Sequence, residues 1–119
     1  MIDIGKVIFK VLDENSIVSY PIVAPEGSTL PLVIYERSFS ADDTKDGRGI
    51  TNNYIDIYVL SEDYKESVTL SLLIADTITV VRGVVTDITI IKSKLIAGAE
   101  MYQDGVYIQK LTFEIKTAA

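Results

Sequence analysis

From Ile50 to Ser61 the chain reads ITNNYIDIYVLS, and from Tyr54 onward its side chains take alternate sides without a break. Ile55, Ile57 and Val59 fall on one face, and Tyr54, Asp56, Tyr58 and Leu60 on the other. A period of two belongs to a strand whose two faces meet different surroundings. The all-aliphatic face reads as core and the opposite face as half apolar. At Ser61 the period changes. Glu62 and Asp63 suit the positive end of a helix dipole, Tyr64, Val68, Leu72, Ala75 and Ile78 form an apolar stripe, and Arg82-Gly83 closes the element. Its threonines and paired valines have modest helix propensity, so packing against a sheet must supply most of its stability. A two-faced strand running directly into an amphipathic helix is the strongest constraint on the fold.

The flanking segments extend the pattern. Ile4, Val7, Ile8, Val11 and Leu12 recur at helical spacing, which predicts an amphipathic helix from about Asp3 to Asp13 with Asp3 as N-cap. IVSYPIVAP follows as an extended segment whose two prolines suit an edge strand or an irregular one. LPLVIYERSF reads as a strand with Pro31 at its beginning and Val33 and Tyr35 opposite Leu32, Ile34 and Glu36. After the second helix, VVTDITIIKSKL alternates around Ile88 and Ile90, IAGAEMY is a weaker segment, and Asp104-Gly105 suits a hairpin turn. VYIQKLTFEIK then places Tyr107, Leu111, Phe113 and Ile115 opposite Lys110, Thr112, Glu114 and Lys116. The order is helix, two or three strands, helix, two or three strands, with no repeat or linker. It predicts an α+β fold: one domain over residues 1–119, with a single antiparallel or mixed sheet and two helices packed on one face.

Composition narrows the function. The 119 residues are 48% hydrophobic, too apolar for disorder. The formal charge of -6 and the lack of any Lys/Arg cluster disfavour tight nucleic-acid binding. There is no Cys and no His, which removes disulfides, thiolate nucleophiles, Cys/His zinc sites and every His-based relay. MIDIGKVIFKVLDENS intersperses charges among its apolar residues and reads as neither a signal peptide nor a membrane span. No serine lies in a nucleophile-elbow pattern, and the expectation is no enzyme, no cofactor and no metal.

SADDTKDGRGITNN, residues Ser40 to Asn53, is the one segment with the look of a site. Asp42-x-Thr44-x-Asp46-Gly47 follows the start of a calcium loop, but the twelfth position is Asn53 where a bidentate Glu is needed, and strands flank it where helices should. Gly47-Arg48-Gly49 is phosphate-loop-like, yet such loops deliver backbone N–H groups at a helix start and these glycines lead into a strand. A strand-to-strand loop of about 12 residues is uncommon unless it works as a binding element or remains disordered. Asp42, Asp43, Lys45, Asp46 and Arg48 are therefore candidate interface residues. Tyr54, Asp56 and Tyr58 join them, because tyrosines on a strand's non-core face suit subunit contact; the alternative is that a helix of the same chain covers that face.

The Pro-led strand PLVIYER, the Asp/Gly loop, the passage YIDIYVLSEDYKESVTLSLLIADTI and the closing DGVYIQKLTFEIK together resemble the tail completion proteins of long-tailed bacteriophages, the tail terminator or tail-to-head joining proteins. The resemblance covers nearly the whole chain and lies in element order and alternation, at Pro31 to Tyr35, Tyr54 to Val59, and Tyr64, Val68, Leu72 and Ala75. It implies a homo-hexameric ring that caps the tail tube, ends tube polymerisation and offers the docking surface for the head connector. It implies as partners further copies of the chain, the tail-tube protein and the head-tail connector protein, with genomic DNA passing the lumen without specific binding and no membrane. The implied place is the virion tail, after assembly in the host cytoplasm, and the implied loop engages neighbouring subunits. An acidic chain suits a conduit that repels the genome. Two alternatives stay open: a small α+β ligand-binding or regulatory domain, which needs a pocket with convergent polar groups, and another head-tail adaptor or tail-tube subunit.

Overall fold

The computed structural model describes residues 3–38 and 50–118. Helix α1 spans Ile4–Glu14, strands β1, β2 and β3 span Ser19–Pro21, Leu32–Ser38 and Ile50–Ser61, and helix α2 spans Tyr64–Thr79. Strands β4, β5 and β6 follow at Gly83–Val85, Ile88–Gln103 and Val106–Ala118. The strands form one six-stranded sheet in the order β1-β2-β3-β6-β5-β4. Only β1 and β2 run parallel; every other neighbouring pair is antiparallel. The fold is α+β with a mixed sheet, as the element order predicts.

Both helices pack on one face. The predicted stripe of α1 is buried in full, from Ile4 to Leu12, against Val33 of β2, Ile55, Ile57 and Val59 of β3, and Phe113 and Ile115 of β6. Ile74 and Ile78 of α2 complete this core. Asp3 caps α1 by accepting a hydrogen bond from Gly5 N at 3.1 Å. Gly5 itself is a close-approach position: a Cβ there would lie 3.3 Å from the Tyr35 ring, tighter than ordinary contact. The helix ends where Asn15 Nδ2 donates back to Val11 O at 2.8 Å and Ser16 turns to φ 61°.

Several local readings change. The buried stripe of α2 is Ser67, Ser71, Ile74 and Ile78, so Ile78 of the predicted stripe is buried while Leu72 faces outward with 61% of its surface exposed. The two serines satisfy their own hydroxyls by donating to Tyr64 O at 2.7 Å and Val68 O at 2.8 Å, and their small size lets the helix sit close to the sheet. The helix begins at Tyr64, with Asp63 as its N-cap. VVTDITIIKSKL is not one strand: Thr86, at φ 57°, and Asp87 turn the chain between β4 and β5. The weaker segment IAGAEMY belongs to β5, held by pairing along nearly all of β6. Strand β3 spans the alternating run from Ile50 as read, and its residue Asn53 has a side-chain Nδ2 that donates to Ile115 O at 3.1 Å and Thr117 Oγ1 at 3.0 Å.

Candidate functional site

The strand period that buries Ile55, Ile57 and Val59 turns Tyr54, Asp56 and Tyr58 to the sheet face away from both helices. All three are half-buried by their neighbours in the sheet. No helix among the described residues covers this face, which decides that alternative for residues 3–38 and 50–118. The register between β3 and its two neighbours then fixes the partners. Tyr54 stands opposite Glu114, Asp56 is flanked by Glu36 and Thr112, and Tyr58 lies between Ile34 and Lys110.

These alignments become hydrogen bonds. Tyr54 Oη donates to Glu114 Oε2 at 3.2 Å, Tyr58 Oη to Glu36 Oε1 at 2.9 Å, and Thr112 Oγ1 to Asp56 Oδ1 at 2.6 Å. Lys110 Nζ sits 5.8 Å from the centre of the Tyr58 ring, within cation–π reach. Burial, the bond to Glu36 and the charges of Glu36 and Asp56 push the Tyr58 hydroxyl up to about 12. A phenol held so firmly in its neutral form acts as a donor and offers no base for chemistry. The face is a preorganised polar and aromatic platform.

Its charge is graded. Glu36, Asp56 and Glu114 lie across β2, β3 and β6, whereas Lys92, Lys94, Lys110 and Lys116 lie along β5 and β6. Lys92 and Lys116 stand directly opposite each other in the register, and Lys94 stands opposite Glu114.

A second aromatic cluster marks the end of the β5–β6 hairpin on the helix side. The Tyr107 ring meets Tyr64 edge-on at 5.5 Å and Tyr102 at 4.7 Å. Tyr64 Oη donates to Glu100 Oε1 at 2.8 Å, and this carboxylate raises the Tyr64 pKa above its ordinary value. Tyr107 was legible as a core-face residue from strand alternation; its aromatic partners depend on the hairpin register and were not.

Two open clefts flank α1. One, of about 560 Å³, lies where α1, α2 and β4 meet. Among its charged groups, Lys10 pairs with Glu14 at 3.8 Å, Arg82 Nη1 donates to Thr79 O and Val81 O at 3.0 and 2.7 Å, and Asp76 also lines the cleft. The other, of about 570 Å³, lies between α1 and the β1–β2 edge and is lined by Phe9, Ile22, Tyr35 and Arg37 among others. Burial, with the nearby Asp3 charge, raises the Tyr35 pKa, so this phenol too stays neutral. Among the described residues no group of three or more His, Cys, Asp or Glu side chains is placed to hold a metal ion. No helix among them is long and apolar enough to cross a membrane.

Of the sequence-predicted interface residues, the structure brings Tyr54, Asp56 and Tyr58 together on one row. Asp42, Asp43, Lys45, Asp46 and Arg48 lie outside the described residues.

No protein-family model matches the chain, and no curated protein matches its sequence. Among solved structures, the fold matches a chain from the virion of a native gene transfer agent particle, with a TM-score of 0.71 and 11% sequence identity, over 95% of this chain and 85% of that chain. At that identity the likeness is one of fold.

Proposed function

We propose that the chain is a structural subunit of a phage-like virion, without enzymatic activity. In this reading it assembles as a ring of six on the end of the tail tube, stops tube growth and presents the joining surface to the head connector. The observation that carries the reading is the fold match over nearly the whole chain to a component of a gene transfer agent virion. The tyrosine and carboxylate row of the helix-free sheet face adds to it, because its side chains are pre-ordered by one another and lose little freedom on docking. In this reading Tyr54, Asp56 and Tyr58 contribute to subunit or partner contact, with Asp42, Asp43, Lys45, Asp46 and Arg48 reaching a neighbour. Genomic DNA passes through the ring without specific contacts, helped by the net charge of -6.

Tubes grown from the cognate tail-tube protein test this by electron microscopy. Added full-length chain is expected to appear as a cap at one tube end and to halt elongation, whereas a variant lacking Asp42 to Arg48 folds but does neither. Tubes that keep growing uncapped contradict the proposal, and a deletion variant that caps as well as the full chain removes the segment from the interface.

A further inference from the structure

Among the described residues the two sides of the sheet end differently. At the β1 side the backbone is closed: Pro21 has no N–H, Ile22 N donates to Tyr35 O at 2.9 Å and Val23 N to Pro21 O at 2.6 Å. At the other side β4 is only three residues long and pairs with Ile88 to Ile90, which leaves the outer edge of β5 from Ile91 to Gln103 without a strand beside it. Edge strands normally carry bulges, lysines or prolines that block further pairing. The first half of this edge has them, in register shifts at Ile90/Lys92 and Leu95/Ala97 and in the cations Lys92 and Lys94. From Ala97 to Gln103 the register is regular, with no proline and no lysine, and every residue is exposed. The two-residue turn at Asp104-Gly105, with φ 53° and 81°, makes Gln103 and Val106 a hydrogen-bonded pair. Alternation back from that pair turns the N–H and C=O groups of Tyr102, Glu100 and Gly98 away from β6.

The open run is uneven in size and in charge. Ala97, Gly98 and Ala99 are small and Glu100, Met101 and Tyr102 large, while Lys92 and Lys94 precede the run and Glu100 and Asp104 lie toward its end. Such a strand complements its own copy when the copy is reversed. With Ala99 on a two-fold axis, Met101 comes beside Ala97 of the second copy and Glu100 beside Gly98, large against small on both faces. Gly98 and Glu100 both point outward, so each such pair exchanges both of its backbone hydrogen bonds. Glu100 meets no side chain at Gly98 and keeps its bond to Tyr64 of its own chain. Lys94 is carried toward Asp104 of the second copy, whereas a parallel alignment would set the cationic ends side by side.

We infer that the outer edge of β5, from Ala97 to Met101, pairs antiparallel with the same edge of a second copy of this chain, across a two-fold axis at Ala99. The two sheets then continue into one. A contact of this kind is isologous and closes at two copies. It concerns the chain free of any tube, goes beyond the ring reading and does not rest on it.

The chain has no cysteine, so a single introduced one reports the axis. Ala99 faces its own counterpart as a non-hydrogen-bonded pair, in which Cα atoms stand about 4.5 Å apart, within disulfide range. Under mild oxidation Ala99→Cys is expected to give a covalent dimer on denaturing gels. Val18→Cys and Val84→Cys, at positions 64% and 70% exposed elsewhere on the chain, are expected to stay monomeric. Native mass spectrometry of the unmodified chain is expected to show a dimer at the low end of a concentration series. Ala99→Lys sets like charges across the axis at an exposed position and is expected to raise the dimer dissociation constant about tenfold, with an unchanged circular dichroism spectrum. A monomer at every concentration overturns the pairing. Oligomers in which Ala99→Cys oxidises no faster than the two control variants overturn it as well, and leave the ring reading standing.

Discussion

Tyr58 holds the polar row together: its hydroxyl reaches Glu36 on β2 while its ring lies under Lys110 of β6. The fold favours its protonated form, since its pKa rises from 10.0 to about 12. That contribution to stability is complete below pH 10 and is lost as pH climbs through about 12. The urea midpoint is therefore expected to fall over that interval, with Tyr58→Phe showing a shallower fall and a loss of about 1 kcal/mol at neutral pH. Identical pH slopes for the two proteins would show that the Glu36 bond contributes nothing. The residues of this row were legible in the sequence because a period of two needs no partner to be seen. Their bonds were not, because the acceptors lie 22 and 60 residues away and meet the tyrosines only through strand register.

Helix α2 shows where hydrophobic periodicity misleads. The sequence directs Tyr64, Val68, Leu72, Ala75 and Ile78 inward; Ile78 is buried and Ala75 packs against the core, yet the other buried positions are Ser67, Ser71 and Ile74, and Leu72 is exposed. Hydropathy ranks serine as polar whether or not its hydroxyl is satisfied, and here both hydroxyls donate to the preceding turn. The sheet beneath already supplies the bulk, in Ile55, Ile57 and Phe113, so the helix needs small residues there. Ser71→Leu is expected to cost about 1–3 kcal/mol by overpacking, and Leu72→Ser no more than about 0.5 kcal/mol, in urea unfolding. The reverse order would restore the stripe read from the sequence. The same helix leaves Leu72 and Leu73 exposed. By contrast, α1 was legible throughout, because its core face is aliphatic at every buried position but Gly5.

At the scale of the molecule, element order and the placing of both helices on one sheet face followed from pattern. Sheet order did not. No sequence period reveals that β1 runs parallel to β2, that β6 inserts between β3 and β5, or that β4 stops after three residues and leaves most of β5 at an edge. Those long-range facts give the chain its elongated outline of 47 × 27 × 25 Å and its two unlike edges. Under the proposed function the chain closes a ring with copies of itself, and native mass spectrometry across a concentration series is the decisive experiment. A dominant species of six times the chain mass is the expected result; a monomer at every concentration would contradict it.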